Sequence, residues 1–334
     1  MITDARALRP EYIPRDMIHR QGAIDHFSAV LDPHISAENI SIFGPSGSGK
    51  TTLAKYVLRQ LEAEMLDFRW GYVNCISDSC KTGALHQIVR SAGLGRDIRR
   101  AGTPATDYLN RIRQCDDYVA AVIDEVDVLD EPELIASLAD IRKLSLITIC
   151  VDQDKLHTDL IEQGRIRTRL RSAETIQLDR YSYNELYDII EYRVDHGLDS
   201  SRVYDEAIAA IADAAAGNAR LGIAYLRRAA KHVEGGHASE LTDSVVEEVA
   251  DDAREDIRSN HKRYLGTHQQ VLYEIIQDAG SDGVAAGELH ARYEEGVQEP
   301  KTRRTRRRYL DSLERYDLIE SEGSTRSRRY YSIS

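Results

Sequence analysis

The sequence predicts an α/β domain with a mostly parallel sheet over residues 1–179. A bundle of helices follows over 180–256, and a small module of three helices and a hairpin over 257–334. Three observations carry that division. A glycine-rich loop, Gly44-Pro45-Ser46-Gly47-Ser48-Gly49-Lys50-Thr51-Thr52, sits between a short apolar run and a helix. Strand-length apolar runs alternate with helical segments as far as residue 178, the pattern of a parallel sheet covered on both faces. Beyond residue 180 the apolar spacing is helical until a turn at Gly323 near the end of the chain.

Residues 40–43, Ile-Ser-Ile-Phe, form a strand leading into the loop, and residues 51–63 the helix leaving it. Residues 68–75 alternate enough to be the next strand, and 83–92 and 106–114 are helical. Residues 118–123, Tyr-Val-Ala-Ala-Val-Ile, are apolar enough to be buried on both faces. A helix over 134–142, a strand over 144–151 and a short strand over 175–178 complete the domain. In the bundle, Ser182 followed by Glu185 is a capping-box signature for a helix over 182–193. Further helices span 205–216, 221–234 and 242–256, the last capped by Thr242. The polar run 251–263 links to the third module, with helices over 266–276, 286–293 and 301–316. Val271, Leu272, Ile275 and Ile276 form the buried face of the first of these, and Tyr309, Leu310, Leu313 and Tyr316 that of the third. Residues 318–322 turn at Gly323, and 328–333 return. Three helices and a hairpin make a winged-helix module.

The loop at 44–52 has the residues and the setting of a phosphate-binding loop. Its glycines let backbone N–H groups converge on phosphate oxygens. Lys50 can reach the β/γ-phosphates, and the Thr51 hydroxyl can hold Mg²⁺. The expected cofactors are ATP or ADP with Mg²⁺. Downstream, an apolar strand delivers Asp124 and Glu125 to its carboxyl end, where ligands bind in such sheets. Asp124 is the candidate for the Mg²⁺ shell and Glu125 the candidate to polarise an attacking water. Asp127 and Asp130 read as the acidic rim of that loop.

Charge is unevenly placed. The net charge is −12, yet residues 261–334 carry 13 basic against 12 acidic side chains, and residues 1–260 carry 31 against 44. An acidic bulk with few lysines suits a halophilic, high-salt cytoplasm, where counterions screen the surface. Basic charge concentrates where a winged helix touches duplex. Arg303, Arg304, Arg306, Arg307 and Arg308 stud the start of the third helix, the part that helix-turn-helix readers present to the major groove. Arg326, Arg328 and Arg329 sit at the hairpin. Arg303, Arg304 and Arg307 are the expected base or near-base contacts, and Arg306 and Arg308 the expected phosphate contacts. The expected partner is double-stranded DNA. No apolar run is long enough to span a bilayer, and Met1-Ile-Thr-Asp-Ala-Arg lacks a secretory segment. Cys75, Cys80, Cys115 and Cys150 lack metal-ligand spacing and read as isolated thiols in a reducing compartment. The expected location is cytoplasmic and on the chromosome, with no membrane partner.

Taken together, these stretches resemble the AAA+ superfamily, and more closely the archaeal origin-recognition and replication-initiator ATPases of the ORC/CDC type. Pro14-Arg-Asp-Met-Ile-His-Arg20 resembles the family's leading segment near the adenine, Tyr72-Val-Asn-Cys75 its second strand, and Asp124-Glu-Val-Asp127 its acidic box. Gly164-Arg-Ile-Arg-Thr-Arg169-Leu resembles its arginine-bearing segment before the fifth strand. Gly217-Asn-Ala-Arg220, with Leu226-Arg-Arg-Ala-Ala230, resembles its second sensor and the following helix. The resemblance covers roughly residues 10–330.

It implies an AAA+ domain whose helical bundle is a lid over the nucleotide. Arg220 would report the γ-phosphate to that lid. Arg169, in preference to Arg167, would act in trans on a neighbour's nucleotide. The implied function is an ATP-regulated initiator that binds origin duplex and helps recruit the replicative helicase. Such a protein would be a monomer in solution that assembles on DNA with initiator paralogues. One departure stands out. The family places an asparagine after the fourth strand to orient water, and this chain reads Cys150-Val-Asp152-Gln153-Asp154. Gln153 is the candidate substitute, while Asp152 adds negative charge near phosphate, so slow ATP hydrolysis is expected. The alternatives are a paralogue regulating transcription or mobile-element replication, and a signalling ATPase whose winged helix binds protein.

Overall fold

A computed structural model describes residues 1–31, 37–95, 97–153, 172–324 and 327–333. Five strands, β1 (Ile40–Phe43), β2 (Phe68–Asn74), β3 (Tyr118–Asp124), β4 (Leu144–Cys150) and β5 (Glu174–Gln177), form one sheet. Their order is β2-β3-β4-β1-β5 and every pairing is parallel. Every residue of β1, β3 and β4 is buried, as expected for central strands covered on both faces. Phe43 lies opposite Cys150, and Asp124 opposite Ile149. The carboxyl ends of β1, β4 and β3 therefore emerge side by side.

Two helices, α1 (Gln21–Val30) and α2 (Lys50–Glu64), cover one face of the sheet. Phe27, Leu53 and Leu58 there share a core with Ile42, Val122 and Ile147. The other face carries α3 (Lys81–Ser91), α4 (Ala105–Arg113) and α5 (Glu133–Ala139). Helix α1 carries no start signal, having no side-chain cap and no acidic residue in its first turn.

The helical bundle contains α6 (Tyr183–Gly197), α7 (Asp205–Ala214), α8 (Ala219–Glu234), α9 (Asp243–Glu248) and α10 (Ala250–Tyr264). Ser182 and Glu185 form the expected capping box at the start of α6. The single helix expected over 242–256 is two. Val249, at φ −98 and ψ 4, breaks it, and Thr242 makes no side-chain cap bond. The polar linker is helical, since α10 runs on to Tyr264. A strap from the N-terminus lies across this bundle. The Thr3 and Asp4 N–H groups donate to Gly197 O at 2.9 and 3.1 Å. Leu8 joins the bundle's core. Buried Arg193 donates to Ala7 O at 2.7 Å and to Tyr12 O at 3.4 Å.

The C-terminal module has α11 (Thr267–Asp278), α12 (Ala286–Gly296) and α13 (Arg303–Arg315), with an antiparallel sheet beside them. That sheet is β6 (Val284–Ala285), β8 (Arg329–Ser332) and β7 (Ile319–Glu322), in that order. A two-residue strand such as β6 has no readable alternation, which is why the sequence showed only the hairpin. Leu272, Ile276, Tyr309, Leu310, Leu313 and Tyr316 are buried, and Val271 and Ile275 are partly so. The module's core is continuous with the α3–α5 side of the large sheet: Tyr309 and Leu313 belong to one apolar cluster with Ile123, Val128 and Leu129.

Candidate nucleotide site

The loop between β1 and α2 is built for close approach of an anion. Gly47 has φ 77, and Gly49, the residue capping α2, has φ 93. Alanine would be strained at both. The N-terminus of α2 points its free N–H groups into the concavity, and the helix dipole favours negative charge there. Pro45 and Ser46 carry the loop across its tip, and Thr52 lies in the first turn of α2. Ser48 Oγ is buried with no partner among the described residues. Lys50 is 7% exposed, and its Nζ donates to Gly44 O at 2.6 Å and Pro45 O at 2.9 Å. Burial lowers its pKa, while Glu125 and Asp124 favour its charge. A desolvated ammonium held only by loop carbonyls, beside an unpartnered hydroxyl, fits a phosphate chain.

The two residues expected to hold Mg²⁺ meet. Thr51 Oγ1 donates to Asp124 Oδ2 at 2.7 Å. Tyr72 OH donates to the same oxygen at 2.8 Å, and the Glu125 N–H to Asp124 Oδ1 at 3.0 Å. Among the described residues no group of three or more His, Cys, Asp or Glu could hold a metal. Thr51 and Asp124 supply oxygen donors of the kind Mg²⁺ takes, one or two from the protein with phosphates and water completing its shell.

The bundle reaches the loop through the start of α8. Asn218 caps that helix, its Oδ1 accepting the Leu221 N–H at 3.2 Å. The Ala219 N–H donates to Gly47 O at 3.1 Å. A Cβ on Gly47 would lie 1.8 Å from Asn218 Oδ1, whereas Gly236 has a similar φ of 81 and nothing within 4 Å. Gly47→Ala is expected to cost about 1–2 kcal/mol of backbone strain and to push the bundle off the loop. Gly236→Ala would carry the strain alone. Urea unfolding and fluorescent-nucleotide titration check this: both variants should lose stability, and only Gly47→Ala should lose nucleotide affinity.

Arg220 stands half-buried on the first turn of α8, its Nη1 3.3 Å from His261 Nε2. His261 Nδ1 lies 3.3 Å from Tyr316 O. Burial, then Arg220, lowers the His261 pKa to about 4. The ring is therefore neutral near pH 7, donating from Nδ1 to the carbonyl and accepting from Arg220 at Nε2. Arg20 had no role assigned from sequence. Its Nη2 donates to Ser48 O at 3.1 Å and to Asp179 O at 2.7 Å, and its guanidinium lies 4.0 Å over the Tyr181 ring. It joins the loop to the start of the bundle.

The acidic box is not a solvated rim. Asp127 is buried, the Asp130 side chain is nearly covered, and both are paired with the C-terminal module, because α13 packs its inner face over residues 125–130. Arg315 Nη1 lies 3.3 Å from Glu125 Oε2, and its Nη2 2.6 Å from Asp127 Oδ2. Lys301 Nζ lies 2.8 Å from Asp130 Oδ2, and Tyr309 OH donates to Asp130. Burial raises the Glu125 pKa, and Arg315 opposes that rise. Burial also works against the Arg315 charge, yet Asp127 and Glu125 hold its pKa above the ordinary value.

The same packing corrects two expected phosphate contacts. Arg306 and Arg308 are 3% and 8% exposed. Arg306 donates to His290 O at 3.1 Å and to Glu294 Oε1 at 2.6 Å, and Arg308 donates to Leu129 O at 3.2 Å. Helical phase turns both inward, where carbonyls and a carboxylate satisfy them. Arg303, Arg304 and Arg307 are exposed and share the opposite face of α13. Arg329, also exposed, donates to Asp282 O at 2.8 Å and Gly283 O at 3.0 Å, and Arg328 is half-buried. Gln153 follows the end of β4, between the strands bearing the loop and the acidic box, and is half-buried, while Asp152 is exposed. Arg169 and Arg326 lie outside the described residues.

A family model described as an AAA domain matches residues 35–170, and one described as a Cdc6 AAA+ ATPase-type lid domain matches 187–251. The chain is 35% identical over 334 residues to ORC1-type DNA replication protein 9 of Halobacterium salinarum, covering 99% of this chain and 93% of that one. It is 35% identical over 309 residues to ORC1-type DNA replication protein 1 of the same organism, covering 91% and 99%. The solved structure of the Aeropyrum pernix ORC1 protein in complex with DNA matches with a TM-score of 0.74 at 21% identity, covering 99% of this chain and 93% of that one. A phosphate loop touched by its lid, and full-length likeness to two ORC1-type proteins, place the chain in the archaeal ORC/Cdc6 family of AAA+ proteins.

Proposed function

We propose that this chain is a replication initiator that binds duplex DNA at origins under the control of bound ATP, and that it helps recruit the replicative helicase. The observation carrying the ATP control is the bond from the Ala219 N–H to Gly47 O. A phosphate chain in the loop and the position of the bundle cannot vary independently while that contact holds. Residues 1–179 act as the nucleotide domain, 180–256 as the lid and 257–334 as a winged helix.

In this reading Thr51 and Asp124 hold Mg²⁺, which would neutralise phosphate charge. Glu125 polarises water, with Gln153 helping to orient it, and Arg220 leaves His261 to meet the γ-phosphate. Arg169 serves a neighbour's nucleotide. Asp152 and the missing asparagine favour slow turnover, so ATP acts as a switch more than as fuel. The arginine face of α13 supports duplex binding. So do the names of the two Halobacterium salinarum relatives and the DNA in the Aeropyrum pernix complex.

Chromosome-wide mapping of the tagged protein tests the reading. Enrichment is expected where replication begins, together with the replicative helicase. Enrichment confined to promoters would reject the initiator in favour of a transcriptional regulator.

A further inference from the structure

We infer that Arg315 is a positioning residue for ATP hydrolysis: while the C-terminal module is docked, its guanidinium holds Glu125 away from the attacking water and keeps turnover low. This rests on the nucleotide reading above. The chemistry is water plus ATP giving ADP and inorganic phosphate. The water oxygen bonds to the γ-phosphorus, the bond to the β–γ bridging oxygen breaks with its electron pair passing to ADP, and the water proton passes to solvent. A carboxylate assists by accepting a hydrogen bond from that water. Glu125 Oε2 is instead paired with Arg315, and its side chain is 13% exposed. Its backbone, at φ 53, restricts where the side chain can swing.

The restraint is anchored, not incidental. Arg315 spans Glu125 and Asp127 together, so breaking one contact leaves the other in place. Behind it, Lys301 and Tyr309 fasten Asp130, Arg308 binds Leu129 O, and one apolar cluster runs across the junction. The next residue, Tyr316, is linked through His261 to Arg220. When Arg220 turns to a phosphate, it must leave His261, which loosens the turn bearing Arg315. The arginine face at 303–307 and the restraint at 315 lie on one helix, about 12–18 Å apart at about 1.5 Å per residue. Whatever α13 grips is thus mechanically joined to Glu125.

The experiment uses the full chain with Mg²⁺ and ATP, comparing the native protein with Arg315→Ala and Arg315→Lys. It reads kcat, KM, affinity for a non-hydrolysable analogue, and hydrogen exchange over residues 125–130. Arg315→Ala is expected to raise kcat by about tenfold, part of the roughly 100-fold or more that a positioned general base contributes. KM and analogue affinity should stay within about twofold of native, and amides 125–130 should exchange faster. Lysine reaches only one carboxylate, so Arg315→Lys should give a smaller rise, and it carries the comparison if the alanine variant fails to fold. Native analogue binding with kcat unchanged or lowered would overturn this inference alone. Absence of analogue binding by the native protein would overturn the nucleotide reading, and this inference with it.

Discussion

Lys50→Ala is expected to weaken ATP binding by at least about 100-fold. The ammonium is desolvated in the free protein, where two loop carbonyls at 2.6 and 2.9 Å are its acceptors. A phosphate chain would exchange those neutral acceptors for anionic oxygens. Hydrogen bonds to charged groups contribute about 1.5–3 kcal/mol each, so losing two of them, about 3–6 kcal/mol, corresponds to a factor of at least about 100. The loop itself should survive. Removing a buried cation whose pKa is lowered by desolvation relieves a cost in the nucleotide-free state. The melting temperature without nucleotide should therefore be unchanged or slightly raised, while its rise on adding ATP disappears. A variant that still gained native thermal stabilisation from ATP would place the γ-phosphate elsewhere.

The second large effect is on duplex binding. Replacing Arg303, Arg304 and Arg307 together with alanine should cut affinity for duplex by about two orders of magnitude at low salt. It should also reduce the slope of log K against log salt by about 2–3, since each phosphate neutralised contributes about 0.9. All three are exposed on one face of α13, so the substitution disturbs no core contact. Nucleotide affinity should be unchanged. The control is Arg306→Ala, whose guanidinium is internal. It should lower the melting temperature with little change in salt slope. If the triple variant kept the native slope, the face of α13 would not be the one that meets DNA.

The parts legible in the sequence share a physical cause. Central parallel strands are buried on both faces, so β1, β3 and β4 announce themselves as apolar runs, and a phosphate loop needs glycine at fixed places. Ser182 and Glu185 announced α6 because a cap is made by local residues. What stayed hidden depends on partners far along the chain. A pattern reading counts arginine as surface, and so misplaced Arg306 and Arg308. Their stems are buried because Glu294, His290 and Leu129 offer acceptors, the last 179 residues away. Arg315 was not singled out for the same reason: Glu125 and Asp127 are 190 and 188 residues distant. Asp127 and Asp130 looked solvated because nothing near them in sequence could neutralise them. Arg20 lay inside a segment already likened to the family, and its role emerged only when β5 and the loop closed around it.

The N-terminal strap sets how the lid can turn. The bundle leaves the sheet through residues 178–182, and it is fastened again where residues 2–12 cross α6 before leading to α1 on the same α/β domain. A door held at separated points along its edge turns less freely than one held at a single point, and α10 adds a further attachment through the docked C-terminal module. Cutting the strap would remove one of these attachments without touching a single residue of the phosphate loop.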